Sequence, residues 1–175
     1  MRGDLSEEIV TITIEENLNQ KAISLNQKSS FGKLEGDVLE LSVIEAFYLM
    51  EKGRLDIYEN SESNKKLEPN YIRNIIKQNS GYGKYIVYKD LKDRGYIIKT
   101  GFKYGAEFRL YERGNSPGLG HSHYLVKIVH ENYEINVLDF ASYIRVAHGV
   151  KKNLLLAVVD DEEDITYYDI EWVKP

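Results

Sequence analysis

The order of helix and strand patterns after residue 80 constrains most strongly what this chain can fold into. Two stretches have helical patterns, and five short stretches have the alternation and the β-branched content of strands. The helical stretches cover residues 85–94 and 137–148, and the strands cover 96–99, 107–111, 123–129, 154–159 and 165–172. A helix, three strands, a helix and two strands are typical of a mixed sheet flanked by helices.

The chain before residue 80 predicts a smaller mixed unit. Residues 9–14 alternate around β-branched side chains and predict a strand, and a polar turn over 15–20 leads into a second strand over 21–25. Ser42 and Glu45 have the spacing of a capping box, in which each side chain bonds the other residue's backbone at the start of a helix. The apolar residues that follow predict that this helix is buried.

The segment Asn79–Gly83 contains a serine and two glycines and interrupts the pattern, so it marks the boundary between two domains. Before it, a strand over Leu55–Tyr58 and a helix over Tyr71–Gln78 complete the first unit. We therefore expect an α+β protein, with a small mixed α/β N-terminal domain over residues 1–80. The C-terminal domain, residues 81–175, contains the mixed sheet flanked by helices.

The composition excludes several classes of protein. The chain has 175 residues, of which 42% are hydrophobic, which is enough for a buried core. It has no cysteine, so a disulfide framework, a thiolate zinc site and a thiol nucleophile are excluded. No apolar run is long enough for a signal peptide or a membrane helix. We therefore expect a soluble, cytoplasmic protein with no membrane partner.

The formal net charge of −5 speaks against a nucleic-acid partner when it is taken as a total. The charge is unevenly distributed, however. Residues 1–69 have a net charge of −6, residues 70–159 have 14 basic and 7 acidic side chains and a net charge of +7, and residues 160–175 have a net charge of −6. The middle of the chain is therefore basic, and the local field can attract an anion although the total charge is negative.

Five consecutive acidic residues lie near the C-terminus: Asp160, Asp161, Glu162, Glu163 and Asp164. Adjacent carboxylates repel one another and cannot be buried together without partners. One interpretation is a solvated hairpin loop. Another is an acidic plug that enters a basic groove on a second subunit, where the repulsion is relieved. The two interpretations differ in how strongly salt affects assembly.

Three features of the basic region could carry chemistry: Tyr111, the stretch His121-Ser122-His123, and the pair Lys151-Lys152. Each one alone has an ordinary explanation, as a packed tyrosine, a surface histidine or a pair of solubilising lysines. Together, tyrosine, histidine and lysine suit RNA cleavage by the ribose 2′-hydroxyl, which needs a base, an acid and a cation. The RNA then provides the nucleophile, and no activated water is required.

A competing hypothesis makes His121 and His123 a pair of metal ligands. Their spacing puts both on one face of a strand. No Asp, Glu or Cys lies beside them in the sequence to complete a ligand set, and nearby lysines disfavour a cation. We therefore expect no metal and no cofactor.

Four stretches resemble the tRNA-splicing endonuclease family, and most closely its archaeal members. They are FKYGAEFRLY at 102–111, PGLGHSHYLV at 117–126, RVAHGVKKNLLLA at 145–157, and the run from EGDVLELS to EKG within 35–53. The resemblance covers roughly residues 30–175 and leaves the first part of the chain less clearly matched. It implies a restriction-endonuclease-like C-terminal domain that is catalytic.

The resemblance also implies the roles of single residues. The family's catalytic tyrosine falls on Tyr111, its histidine on His121, and its lysine on Lys152. His121 is the first of the two histidines, and Lys152 directly precedes the Asn-Leu-Leu-Leu stretch. The implied reaction cleaves precursor tRNA at bulge-helix-bulge junctions without metal, and it leaves 2′,3′-cyclic phosphate and 5′-hydroxyl ends.

The substrate-binding residues and the assembly are implied in the same way. Arg145 and Trp172 correspond to residues that hold a bulge base between a cation and a planar ring, although Trp172 could equally anchor a core or an interface. The resemblance implies a homotetramer in which C-terminal strands pair and acidic loops join dimers, and the loop corresponds to Asp160–Asp164. This favours the plug over the solvated hairpin.

Two other functions stay open at this point. The chain could be a non-catalytic RNA-binding or scaffolding subunit of such a complex, although all three catalytic residue types are present. It could also be an unrelated DNA nuclease of restriction-like fold, but that chemistry requires clustered Asp, Glu and Lys with Mg²⁺. The acidic cluster of this sequence is the terminal run.

Overall fold

A computed structural model describes residues 1–14, 20–79, 81–112, 114–115, 117–118 and 120–175. The chain divides into two units, Met1–Tyr82 and Gly83–Pro175. Each unit contains one five-stranded sheet, and the described residues form five α-helices. The predicted α+β class is therefore confirmed.

The N-terminal unit builds its sheet in the order β3-β4-β2-β1-β5. Neighbouring strands are antiparallel except β1 and β5, which are parallel. The elements are β1 (Arg2–Ser6), β2 (Ile9–Thr13), α1 (Gln20–Ser29), β3 (Lys33–Glu35), β4 (Val38–Ser42), α2 (Val43–Glu51), β5 (Asp56–Tyr58) and α3 (Pro69–Asn79).

Helix α2 begins with the predicted capping box. The Ser42 side-chain oxygen accepts a hydrogen bond from the Glu45 backbone N–H at 3.3 Å, and Glu45 Oε2 accepts one from the Ser42 backbone N–H at 3.0 Å. Both bonds satisfy amides that a helix start leaves open. Ala46, Phe47 and Leu49 of this helix are fully buried. The helix is thus a central element of the N-terminal core.

The predicted strand over Lys21–Leu25 is wrong, because these residues belong to helix α1. Ala22 and Leu25 are buried, and their spacing of three puts them on one face of a helix. Lys21, Gln27 and Lys28 of the same helix are exposed. The turn predicted over 15–20 falls mostly on residues outside the described part of the chain.

Strand β1 has a sequence, RGDLS, that gives no strand signal by itself. Its neighbours hold it in place, because it pairs with β2 on one side and with β5 on the other. A Cβ on Gly3 would lie 2.6 Å from Val10 Cγ1, so the close approach of the two strands requires glycine.

The C-terminal unit has the predicted order of elements, with its sheet in the order β10-β9-β8-β7-β6. Strands β8 and β9 are parallel, and the other neighbours are antiparallel. The elements are α4 (Tyr82–Asp93), β6 (Ile97–Thr100), a 3₁₀ turn (Phe102–Tyr104), β7 (Phe108–Tyr111), β8 (Tyr124–His130), α5 (Val137–Gly149), β9 (Asn153–Val159) and β10 (Ile165–Ile170).

Helices cover both faces of this sheet. On one face, the ring of Tyr88 in α4 lies 5.8 Å from the ring of Phe108 in β7. On the other face, Ala147 of α5 packs with Leu125 of β8 and Leu154 of β9. The side-chain alternation of strands explains the division, because Phe108 and its even-numbered neighbours on β7 point away from the α5 face. None of the described helices has the length and apolar character needed to cross a bilayer.

Candidate active site

The sheet topology brings the three candidate segments to one edge. Strand β7 ends at Tyr111 and runs antiparallel to β8, so its end lies beside the start of β8 at Tyr124. Strand β9 runs parallel to β8, and its first residue, Asn153, pairs with Tyr124. Tyr111, residues 121–123 and Lys152 therefore lie at the same end of three adjacent strands.

Hydrogen bonds extend this arrangement beyond the strands. The His123 N–H donates to the Leu110 carbonyl at 2.8 Å, and the Asn153 N–H donates to the His123 carbonyl at 3.0 Å. Lys152 Nζ donates to the Ser122 carbonyl at 2.9 Å. Ser122 is 5% exposed, so this carbonyl belongs to a fixed part of the backbone. The lysine ammonium is thereby held beside the residue that follows His121.

The Tyr111 side chain is 4% exposed. It pairs across the sheet with Ile97 of β6, and the guanidinium carbon of Arg109 lies 5.8 Å from its ring centroid. The packing fixes the ring, and it leaves little of the side chain available for contact with a substrate in this conformation.

The two histidines of the His-Ser-His stretch have different surroundings. His123 Nδ1 lies 3.8 Å from a carboxylate oxygen of Glu112, and its ring contacts the ring of Tyr124 edge-on at 4.6 Å. His121 is exposed to solvent one residue beyond Gly120. His123 is also exposed, so the two histidines differ in the contacts of His123 with Glu112 and Tyr124 and not in accessibility.

The end of helix α5 positions Lys152. The Lys151 N–H donates to the His148 carbonyl at 2.9 Å, and the Lys152 N–H donates to the Ala147 carbonyl at 2.9 Å. This pair of bonds is the Schellman arrangement, in which a left-handed residue turns the chain out of a helix. Lys151 is that residue, with a φ of 57°. The helix end thereby directs the chain into β9 with Lys152 at its start.

Sequence reasoning missed two residues at this edge, Arg109 and Tyr104. Tyr104 packs against the cluster of Leu125, Ala147 and Leu154. A hydrogen bond with Lys103 lowers the pKa of Tyr104, and the charges of Lys103, Lys152 and Arg109 add to that effect. The phenol therefore lies in a positive field to which Arg109 and Lys152 both contribute. Both missed residues lie within the FKYGAEFRLY stretch, but nothing in their spacing distinguished them.

Arg145 lies on helix α5, and Trp172, which follows β10, contacts this helix. The Trp172 ring is 53% exposed and contacts the His148 ring edge-on, with 4.5 Å between the centroids. Arg145 is exposed and precedes His148 by three residues, so the two lie on the same face of the helix. Trp172 thus packs one helical turn from Arg145.

The acidic run forms the hairpin loop between β9 and β10. The Asp160 N–H donates to the Asp164 carbonyl at 3.1 Å, and Asp160 Oδ1 accepts from the Asp164 N–H at 2.8 Å. Asp161 Oδ1 lies 3.3 Å from His130 Nε2. Residues 161–164 are exposed, so this isolated chain presents the carboxylates to solvent.

Within the described ranges, no three His, Asp or Glu side chains come together in a group that could hold a metal ion. His121 and His123 accordingly gain no third ligand from that part of the chain. The ionisable side chains at this end of the strands include the phenol of Tyr111, the imidazoles of His121 and His123, the carboxylate of Glu112 and the cations of Lys152 and Arg109.

Two protein-family models match this chain. The catalytic C-terminal domain of the tRNA intron endonucleases matches residues 82–167, and the N-terminal domain of the same endonucleases matches residues 1–68. A tRNA-splicing endonuclease of Methanothermobacter thermautotrophicus is 51% identical over 175 residues, which covers 100% of this chain and 99% of the relative. One from Thermococcus gammatolerans is 42% identical over 159 residues, and covers 89% of this chain and 91% of the relative. One from Pyrococcus horikoshii is 40% identical over 172 residues, which covers 97% of this chain and 95% of the relative.

The match to the catalytic domain model, together with relatives that are tRNA-splicing endonucleases over their full length, identifies an endonuclease. This chain belongs to the tRNA intron endonuclease family, and it contains both the N-terminal and the catalytic domain of that family. The resemblance predicted from the sequence is confirmed.

Proposed function

We propose that this protein cleaves precursor tRNA at intron–exon junctions in bulge-helix-bulge structures and leaves 2′,3′-cyclic phosphate and 5′-hydroxyl ends. One observation supports the assignment most strongly. Tyr111, the stretch 121–123 and Lys152 lie at the same end of three adjacent strands, and Lys152 Nζ bonds the Ser122 carbonyl. Family membership supports the substrate class.

The reaction assigns one step to each residue. Tyr111 accepts the proton of the ribose 2′-hydroxyl, whose oxygen attacks the adjacent phosphorus; because the side chain is 4% exposed, this step requires its hydroxyl to become accessible when RNA binds. Lys152 stabilises the added negative charge of the pentacovalent phosphate. His121 donates a proton to the departing 5′-oxygen, and imidazole is suited to that step near neutral pH. The attacking hydroxyl belongs to the RNA, so the reaction needs no metal-activated water and no cofactor.

The test is cleavage of an intron-containing precursor tRNA in EDTA, with chemical analysis of the product ends. We expect cleavage in EDTA, a cyclic phosphate on each 5′ fragment and a free hydroxyl on each 3′ fragment. His121→Ala should lose activity by about 10²–10⁴-fold, the usual contribution of a general acid, while it still binds RNA. His123→Ala is the matched control and should stay close to wild type.

Two results would contradict this function. If EDTA abolishes cleavage and Mg²⁺ restores it, then the proposed metal-free reaction is wrong. Tight binding of the precursor by the wild-type protein without any cleavage would indicate a non-catalytic RNA-binding subunit instead.

Arg145 and Trp172 are the proposed contacts to a bulge base. Both side chains are exposed, and Trp172 contacts His148, which lies one helical turn from Arg145; this supports a role in which a cation and an aromatic plane hold one unstacked base. Arg145→Ala should slow cleavage of bulged substrate, with Arg145→Lys as the control that keeps the charge. Unchanged kinetics in both variants would exclude the stacking role.

The assembly proposed for this chain is a homotetramer. A precursor has two splice sites, and one chain provides one set of Tyr111, His121 and Lys152. The exposed acidic loop at Asp160–Asp164 and the outer strand β10 are the proposed contacts between subunits. A cytoplasmic location stays a prediction.

A further inference from the structure

Arg109 lies on β7 two residues before Tyr111, so both side chains are on the same face of the sheet. Across the sheet it pairs with Lys99 of β6 and with Leu125 of β8. The guanidinium carbon is 5.8 Å from the ring centroid of Tyr111. Arg109 is therefore an immediate neighbour of the proposed active site, although the proposed reaction gives it no step.

The Nε atom of Arg109 is buried and has no hydrogen-bond partner among the residues that the structure describes. A buried guanidinium nitrogen without a partner destabilises a fold, because it has lost water and gained nothing in exchange. Buried polar atoms in proteins nearly always have a partner, so a water or a bound anion is the expected partner of this nitrogen.

The carboxylates that lie closest to Arg109 along β7 bind elsewhere. Glu107 Oε1 lies 2.8 Å from Lys127 Nζ, and Glu107 Oε2 accepts the Ile128 N–H at 2.9 Å. Glu112 is directed at His123, at 3.8 Å. None of the ion pairs of the described residues includes Arg109, so an anion from outside the chain can bind without displacing one of them.

The surroundings of Arg109 are also positive. Arg109 and Lys152 both act on the phenol of Tyr104, and Lys103 Nζ lies 4.9 Å from the Tyr104 ring centroid. Three cations around one tyrosine repel one another, and an anion among them relieves that repulsion. Arginine presents a planar set of donors that matches phosphate oxygens two at a time.

We propose that Arg109 binds a backbone phosphate of the substrate RNA beside the scissile phosphate. This inference rests on the proposed function, and it adds a substrate-binding residue to the site formed by Tyr111, His121 and Lys152. It implies that the guanidinium of this half-buried side chain forms the base of an anion site that is filled only when RNA is bound.

The experiment measures binding of a precursor RNA that has 2′-deoxyribose at both cleavage sites, over a series of salt concentrations. Arg109→Met keeps most of the side-chain volume and removes the charge. We expect its affinity to fall roughly ten- to a hundredfold, the range for a lost hydrogen bond to a charged group. The slope of log K against log salt should decrease by about 0.7–0.9, the value for one lost phosphate contact.

Two further variants sharpen the result. Arg109→Lys keeps the charge but not the planar fork, so we expect a smaller loss of affinity and an unchanged salt slope. Arg54→Met removes an exposed arginine of the N-terminal unit and controls for the change in total charge, and it should bind like wild type. Arg109→Met should unfold no more easily than wild type, because it removes a buried unpaired nitrogen.

Each other result would overturn the inference. A lower cleavage rate with unchanged affinity would make Arg109 a positioning residue for Tyr111. A lower melting temperature with an unchanged salt slope would make it structural. A smaller particle in light scattering would mean that a second subunit satisfies the guanidinium.

The proposed function fails separately from this inference. It fails if the wild-type protein does not cleave the unmodified RNA, or if it cleaves the 2′-deoxy RNA. If wild type passes both of those tests and Arg109→Met binds like wild type, then the phosphate site alone is wrong.

Discussion

Lys152 Nζ donates a hydrogen bond of 2.9 Å to the carbonyl oxygen of Ser122, the residue next to His121 in the sequence. The bond joins the start of β9 to the segment before β8, over a separation of 30 residues. An ammonium has three donors, so one can stay on the carbonyl while the others meet a phosphate. The carbonyl thus orients the cation before substrate binds.

Lys152→Ala removes that cation, and we expect the single-turnover rate of precursor cleavage to fall by about 10²–10³-fold, as for other groups that stabilise transition-state charge. RNA affinity should change much less than the rate. A variant that cleaves at the wild-type rate would exclude Lys152 from the reaction. The matched control is the neighbouring lysine, Lys151, whose replacement by glycine should leave the rate intact.

Lys151→Gly should also stabilise the protein. Lys151 has a φ of 57°, in the left-handed region that costs an ordinary residue about 1–2 kcal/mol and costs glycine almost nothing. Glycine loses more chain entropy on folding, which leaves a net gain of about 0.5–1 kcal/mol. Urea unfolding would measure the gain. Lys151→Val should lower the free energy of unfolding, because a β-branched residue is disfavoured in the left-handed region. Equal stability of the glycine and valine variants would contradict the argument.

Local patterns predicted much of the fold. The capping box of Ser42 and Glu45 and the element order after residue 80 needed only the periods of helix and strand. The strand expected over Lys21–Leu25 was wrong because a stretch of five residues with one isoleucine and one leucine fits the period of a helix as well as the period of a strand. Burial against the N-terminal core decided in favour of the helix.

The geometry of the candidate site needed the structure. The resemblance named Tyr111, His121 and Lys152, but their common edge depends on the register of Leu110 with Tyr124 and of Tyr124 with Asn153. Register is a long-range property that no short window contains. Arg109 was missed for the same reason, because its burial and its missing partner arise only once the strands have paired.

Tyr124 predicts how stability changes in alkali. Its hydroxyl donates to Asp169 Oδ2 at 2.9 Å, and burial together with that carboxylate raises its pKa to about 12. An unfolded tyrosine has a pKa of about 10. The folded state therefore holds the proton more tightly, and the stability from this group is complete below pH 10 and is lost as the pH rises toward 12.

The measurement is the free energy of unfolding in urea at several pH values above 9. We expect wild type to lose stability with a steeper slope than Tyr124→Phe, which has no proton to release at this position. Asp169→Asn should reduce the slope as well, because the carboxylate contributes to the shift. Identical slopes in wild type and Tyr124→Phe would mean that Tyr124 titrates alike in both states.

The acidic loop provides the test of assembly. Asp160 accepts the Asp164 N–H at 2.8 Å and is needed for the turn, so the reversal is best made at the exposed residues Asp161 and Glu162. If the loop enters a basic groove on another subunit, then Asp161→Lys with Glu162→Lys replaces attraction by repulsion. We expect light scattering to record a dimer where wild type is a tetramer.

The neutral pair Asp161→Asn with Glu162→Gln should weaken the tetramer less, and added salt should weaken the wild-type tetramer. A tetramer that survives the reversal would leave the loop as a solvated hairpin.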